Sequence, residues 1–368
     1  MEKILAFIKK NINNYPRIKY YLKKIIPISF LKKTSRFAYS KNSNFHSFYI
    51  NDREIRFHLG ALEDTRGIGR VTREQYLYLK KNLSSVLINT KKLKVINFYS
   101  SIHWCPNDLP KNSVVMIHDV IPMVLPELFK EPYKDWSKKY FLIAKQASHI
   151  ITISQTSKND IIKHLNIKSE NITIINNGVT KLELLTKQTN ILLPKRYFVY
   201  LGSADVHKNL DILLKALALE RCSNFHLVMI GDNMQCLTKM KQLNLVDRVH
   251  FLGKLDDSDS AFVIKNSIAL LFPSLYEGFG LPPMEAALLK IPSICSNRPT
   301  MNEFLYDVSL FADPYDADNY SQQMYKMAND NILREKLALM AYSRMLSFTW
   351  EKSCANLIKV LSDDKKSS

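Results

Sequence analysis

Glu277 and Glu285 are separated by seven residues and frame the run Gly278-Phe279-Gly280-Leu281-Pro282-Pro283. Two glycines followed by two prolines turn the chain and open a helix, and a helix start presents unpaired N–H groups with roughly half a positive charge. The amides of residues 278–281 could therefore hold a phosphate, the glycines letting it approach the backbone closely. The two carboxylates suit hydroxyl groups instead, much as an acidic residue grips ribose in dinucleotide-binding folds. A nucleotide sugar has both an anionic centre and hydroxyls. Taken singly, each glutamate also reads as a turn residue or as a complement to the helix dipole, with Glu285 expected in the first turn.

Three further places carry chemistry. Lys208 precedes a helical run and follows Gly202, Ser203, Asp205 and His207, so its ammonium can neutralise a phosphate or simply be solvated. His118 and Asp119 end the apolar run 114–117, and strand ends are where parallel folds bind ligands, although a lone histidine is more often structural. Gly67-Ile68-Gly69-Arg70 reads as a second glycine loop ahead of a helix reaching about residue 82, and a plain tight turn accounts for it equally well. Asp257-Ser258-Asp259 and Asp316-Ala317-Asp318 match the short Asp-x-Asp pattern of metal sites. The first falls just ahead of a helix, where aspartates cap, and the second in a polar loop, so no metal is expected. No nucleophile, base and orienting acid occur together as a hydrolase triad.

The elements that must position these residues alternate strand and helix. Apolar runs at 55–59, 95–99, 114–117, 149–154 and 172–175 predict a first parallel sheet, and runs at 197–201, 226–230, 249–252 and 267–272 predict a second. Polar residues 181–190, followed by Pro194, form the expected linker. The expected organisation is a basic extension (1–46), two Rossmann-like domains (47–188 and 189–348) and a closing helical segment (349–368).

The central stretch resembles the signature of glycosyltransferase family 4, the retaining GT-B enzymes, through Pro273, Ser274, Tyr276, Glu277, Gly278, Phe279, Gly280, Leu281, Pro282, Glu285 and Ala286. The resemblance covers about residues 55–361 and implies two Rossmann-like domains facing across a cleft, with the last helix crossing back to the first domain. It implies that Glu285 holds the nucleotide ribose and Glu277 contacts the donor sugar. It places Lys208 at the phosphates, His118 near the donor sugar, and Asp119 and Arg70 on the sugar or acceptor side. Gly67 and Gly69 fall near the donor phosphates. Two departures stand out. His207 occupies the place of an arginine, which could make phosphate neutralisation weaker or pH dependent, and Lys290 replaces a small residue, often glycine, after the signature helix.

A chain of 368 residues with 46% hydrophobic content can supply two cores. The net charge of +18 predicts an anionic partner without choosing among nucleic acid, membrane surface and phosphorylated substrate. Five scattered cysteines without metal-ligand spacing read as free thiols of a reducing cytoplasm. No apolar run approaches the roughly 18 residues of a transmembrane helix, and no secretion signal is expected. In residues 1–44, Ile4, Ile8 and Ile12 recur at helical spacing among many lysines, which favours an anionic membrane surface over a packing extension or an RNA-binding arm.

The resemblance extends to bacterial surface-polysaccharide mannosyltransferases and implies hexose transfer from GDP-mannose to a lipid-linked oligosaccharide of O-antigen or capsule. The enzyme would act without cofactor at the inner face of the cytoplasmic membrane, with no nucleic acid bound. Alternatives are the same fold using UDP-glucose, UDP-N-acetylglucosamine or GDP-fucose, and a non-catalytic membrane or nucleic-acid binding protein on a transferase fold.

Overall fold

The computed structural model describes residues 45–64, 66–83, 93–129, 133–182 and 189–363. The basic stretch 1–44 and most of the expected linker (183–188) lie outside the described residues.

The first sheet runs in order β1-β2-β3-β4-β5-β6. Its strands are β1 (Phe45–Ile50), β2 (Arg53–His58), β3 (Lys94–Tyr99), β4 (Ser113–Met116), β5 (His149–Thr152) and β6 (Ile172–Ile174). Strands β2 to β6 pair in parallel, as the buried runs predict. Strand β1 corrects the expectation of an all-parallel sheet: it pairs antiparallel with β2 through a tight turn in which Asn51 takes φ 52°. Helices α1 (Gly67–Asn82), α2 (Ile121–Val124), α3 (Tyr133–Gln146) and α4 (Gln155–Leu165) accompany it.

The second sheet runs β12-β11-β10-β7-β8-β9 and is parallel throughout. It comprises β7 (Tyr197–Leu201), β8 (His226–Ile230), β9 (Val249–Gly253), β10 (Leu270–Phe272), β11 (Ser293–Ser296) and β12 (Leu310–Ala312). Helices α5 (Leu210–Ala218), α6 (Leu237–Gln242), α7 (Asp257–Lys265), α8 (Leu281–Leu288), α9 (Pro299–Leu305), α10 (Ala317–Asn329) and α11 (Asn331–Met345) accompany it, and α12 (Trp350–Ser362) follows. Strands β4, β5, β10 and β11 are buried at every position, as expected for parallel strands covered on both faces. In chain order this sheet is the doubly wound arrangement, whose direction reverses between β7 and β10. Ligands of such sheets bind at that reversal, beyond the carboxyl ends of the strands.

Helix α12 makes contacts with the first domain. Trp350 donates its indole N–H to the Thr180 hydroxyl at 3.1 Å, and Arg53 donates to the carbonyl of Leu361 at 3.3 Å. Gly178 admits this return, because a Cβ there would lie 2.4 Å from the Trp350 nitrogen. Among the described residues no helix is long and apolar enough to cross a membrane.

Candidate active site

The strand reversal brings together two of the residues singled out from the sequence. Lys208 follows β7 and Glu277 follows β10, and the lysine donates to Glu277 Oε1 at 2.6 Å. Both are mostly buried, so each charge depends on the other to offset its desolvation. Their backbones are braced from behind. Asn209 adopts φ 54° and donates to the carbonyls of Pro314 at 2.7 Å and Pro273 at 3.3 Å, which fixes the turn carrying Lys208. Thr300 donates its hydroxyl to the Glu277 carbonyl at 2.6 Å. Neither brace was singled out from sequence; an asparagine beside the lysine was the available signal, since asparagine tolerates the left-handed region.

The loop after Glu277 enters α8 through Gly280, whose φ of 89° is a left-handed value that glycine adopts without a steric penalty. Pro282 and Pro283 lack N–H groups, so the free donors at this helix start belong to residues 278–281. Among the described residues, no acceptor takes any of these four amides. Gly278 is held against the other side of the cleft: a Cβ there would lie 2.9 Å from the His118 carbonyl oxygen and 3.2 Å from Asp119 Cβ. The ring of Phe279 packs on Phe304 with centroids 4.6 Å apart, so this residue offers the cleft its backbone only.

Glu285 lies in the second turn of α8, one turn later than expected. It is buried, and that burial pushes its carboxyl up to about 7 despite the opposing pull of Arg70. Arg70 reaches across the cleft and donates to Glu285 Oε1 at 2.7 Å and to Asp257. The ribose candidate is thus occupied by an arginine from the facing domain. The Gly67-to-Arg70 segment is the first turn of α1 rather than a loop ahead of it. Gly69 serves packing, since a Cβ there would lie 1.7 Å from the Asp64 carbonyl oxygen, whereas Gly67 faces Leu281 of the signature loop.

On the first-domain side, His118 donates from Nε2 to the Ser100 carbonyl at 2.9 Å, which leaves Nδ1 as the unprotonated nitrogen. Burial lowers its imidazole to about 4, so it is neutral at physiological pH. Asp119 accepts the Ile121 amide at 3.2 Å, and burial pushes it up to about 6. The ring of His207 lies 5.9 Å from that of Phe129, and its buried Nδ1 has no hydrogen-bond partner. Burial first, and the adjacent Lys208 second, hold His207 below its ordinary value. His207 is thus neutral at physiological pH in this arrangement.

Two more contacts tie the halves together. The Glu303 carboxylate accepts the amides of Gln155 at 2.7 Å and Thr156 at 2.9 Å, capping α4 from the opposite domain. Tyr276 donates to Asp160 of the same helix. Residues of both Asp-x-Asp pairs are engaged by caps and arginines. Asp256 caps α7 by accepting the Asp259 amide at 2.8 Å, while Asp257 meets Arg70. Asp316 caps α10 and Asp318 pairs with Arg221 at 2.8 Å, so the second pair begins a helix instead of lying in a polar loop.

A family model for glycosyl transferases group 1 matches residues 183–344, and one for glycosyltransferase family 4 matches residues 68–181. The chain is built of two glycosyltransferase domains. Its two Rossmann-like domains have the GT-B fold. A curated relative of this glycosyltransferase is the O-antigen chain mannosyltransferase RfbU of Salmonella typhimurium, 29% identical over 58% of the chain and 60% of that protein. Another is the O-antigen chain mannosyltransferase B of Escherichia coli, 27% identical over 71% of each. The chain therefore spans less than two thirds of the first relative's length. Among solved structures it is similar to Anabaena HepE in complex with UDP-glucose, with a TM-score of 0.58, 19% identity and coverage of 68% of this chain and 72% of that one.

Proposed function

We propose that this glycosyltransferase moves a hexose from a nucleotide sugar to a glycan hydroxyl. The donor's diphosphate lies between Lys208 and the amides of residues 278–281, and its ribose at Glu285. The observation that carries this reading is the convergence of Lys208, Glu277 and four unengaged amides at the reversal between β7 and β10.

In the reaction the bond from the anomeric carbon to the diphosphate oxygen breaks, and the acceptor oxygen forms the new bond on the same face. The acceptor's proton passes to the departing diphosphate, so anomeric configuration is retained and no protein nucleophile is required. Lys208 and the amides stabilise the negative charge that grows on the leaving group. Glu277 positions Lys208 and faces the sugar, and His118 meets the sugar from the facing domain. The scheme uses no metal: of the candidate aspartates, Asp257 pairs with Arg70, Asp316 caps α10 and Asp318 pairs with Arg221.

The mannosyltransferase names of the relatives favour GDP-mannose as donor and a lipid-linked O-antigen oligosaccharide as acceptor. The UDP-glucose complex of HepE favours the second reading, a glucosyl donor on the same fold. A lipid-linked acceptor also gives the lysine-rich residues 1–44 a purpose at the inner face of the cytoplasmic membrane, because lysines near an anionic surface contribute about 1 kcal/mol each.

The test is to incubate the protein with each donor and a lipid-linked acceptor, with and without EDTA, and assign the product's anomeric configuration by NMR. A retained anomeric centre formed in EDTA is expected. An inverted product, or loss of activity that manganese or magnesium restores, contradicts the mechanism.

A further inference from the structure

A cavity of 390 Å³ opens between the two domains on the α4 side of the signature loop. Its size falls in the range of about 300–1,000 Å³ usual for small-molecule sites. The first domain contributes Asp160 and the second contributes Tyr276, Arg298 and Tyr315. Tyr276 is the residue next to Glu277, so the cavity adjoins the place assigned to the donor sugar.

The chemistry of its wall is not explained by folding alone. Arg298 has a buried Nε without a hydrogen-bond partner, and among the described residues no carboxylate pairs with its guanidinium. The guanidinium instead rests on the Tyr315 ring, 5.0 Å from the centroid. Tyr315 is 69% exposed, which leaves ring surface open to a ligand. Asp160 uses one carboxylate oxygen for the Tyr276 hydroxyl and keeps the other for a second donor. An aromatic face beside an orphaned cationic donor and a half-used carboxylate complements a sugar ring, which has an apolar C–H face and hydroxyls at its edge.

We infer that this cavity is the acceptor subsite: it binds the sugar units of the acceptor glycan next to the hydroxyl that receives the hexose. This rests on the glycosyltransferase reading above. Tyr315 supplies the stacking face, Arg298 donates to a sugar oxygen or to a carboxylate borne by the glycan, and Asp160 accepts from a sugar hydroxyl. The cavity has room for a short saccharide and not for a whole chain, so recognition is confined to the terminal units of the acceptor.

The full-length protein is screened by fluorescence polarisation against labelled di- and trisaccharides of neutral hexoses, N-acetylhexosamines and uronic acids. Nucleotide-sugar binding is measured in parallel by calorimetry. At least one saccharide should be retained, and both Arg298→Gln and Tyr315→Ala should weaken it about tenfold or more, the loss expected for a charged hydrogen bond or an aromatic contact. Tyr315→Phe should restore retention, and nucleotide-sugar affinity should be unchanged in every variant. Retention of uronic acid saccharides alone assigns Arg298 to a carboxylate, and retention of neutral ones to hydroxyls. The inference is overturned if no saccharide is retained, if neither variant weakens retention, or if Arg298 binds inorganic phosphate while no saccharide competes. Failure of all nucleotide sugars to bind, with saccharide retention intact, would sink the donor reading and leave this cavity as a saccharide site.

Discussion

Arg70 of α1 lies 2.7 Å from Glu285 of α8, so the carboxylate assigned to ribose is held by a cation from the facing domain. A donor that takes Glu285 must replace this contact, which then stabilises only the ligand-free state. Arg70→Met should therefore lower the melting temperature of the free protein, since it strands a buried carboxylate. Saturating GDP or UDP, whichever binds, should narrow the gap between variant and wild type. A gap of unchanged size would mean that the ion pair survives in the complex and that ribose lies elsewhere.

The 2.6 Å pair of Lys208 with Glu277 yields a kinetic expectation. Lys208→Met should reduce kcat by about 10²- to 10³-fold, the usual effect of removing one donor from developing negative charge. Because the two residues act as a unit, adding Glu277→Gln to Lys208→Met should cost much less than Glu277→Gln costs alone. Additive losses would show that they act independently.

Stability should respond to pH through Glu285. Its folded carboxyl titrates at about 7 against an ordinary 4.5, so the native state binds the proton more tightly than the unfolded chain. The associated stability is present at low pH and is lost as pH rises through 7, with a ceiling of about 3 kcal/mol. His118 acts in the opposite direction: its lowered value means stability is lost as pH falls from 6.5 towards 4. Comparison with Glu285→Gln isolates the first effect. Between pH 5 and pH 8 the wild type should lose melting temperature relative to this variant, and parallel curves would contradict the assignment.

Lys290 ends α8 in the left-handed region at φ 57°, with its amide bonded to the Ala287 carbonyl at 2.9 Å and that of Ile291 to Ala286 at 2.9 Å. This pair of bonds defines the helix stop that glycine fills most readily. Lys290→Gly and Lys290→Ala both lose the contact of the ammonium with Tyr342. The glycine variant should nevertheless be the more stable by about 1 kcal/mol, a reversal of the order found inside a helix. Chemical denaturation of the two proteins decides the sign.

Much of this architecture was legible because parallel strands are buried on both faces and read as short apolar runs; β7 and β8 lie where the sequence placed them. Strand β1 was not, since Phe45–Ile50 mixes polar and aromatic residues and adjoins a basic stretch that masks it. Strand β12 has three residues, too few for any period to show. Lys208 and Glu277 were legible through local turn chemistry, and the fold brought them together. The partner of Glu285 was not, because Arg70 is 215 positions away and no spacing rule spans that distance. Asp257 was read as a local helix residue, and its role across the cleft follows only from the approach of α1. The cap that Glu303 places on α4 joins residues 148 positions apart and is likewise beyond any spacing rule.

The central claim is that a nucleotide sugar occupies the cleft at Lys208 and Glu285. Titration calorimetry of the wild type, Lys208→Met and Glu285→Ala against GDP-mannose, UDP-glucose, UDP-N-acetylglucosamine and GDP-fucose tests it most directly. One donor should bind the wild type, more weakly after either substitution, with GDP-mannose the expected ligand. Undiminished affinity in both variants, or no binding of any donor to the wild type, would contradict the account.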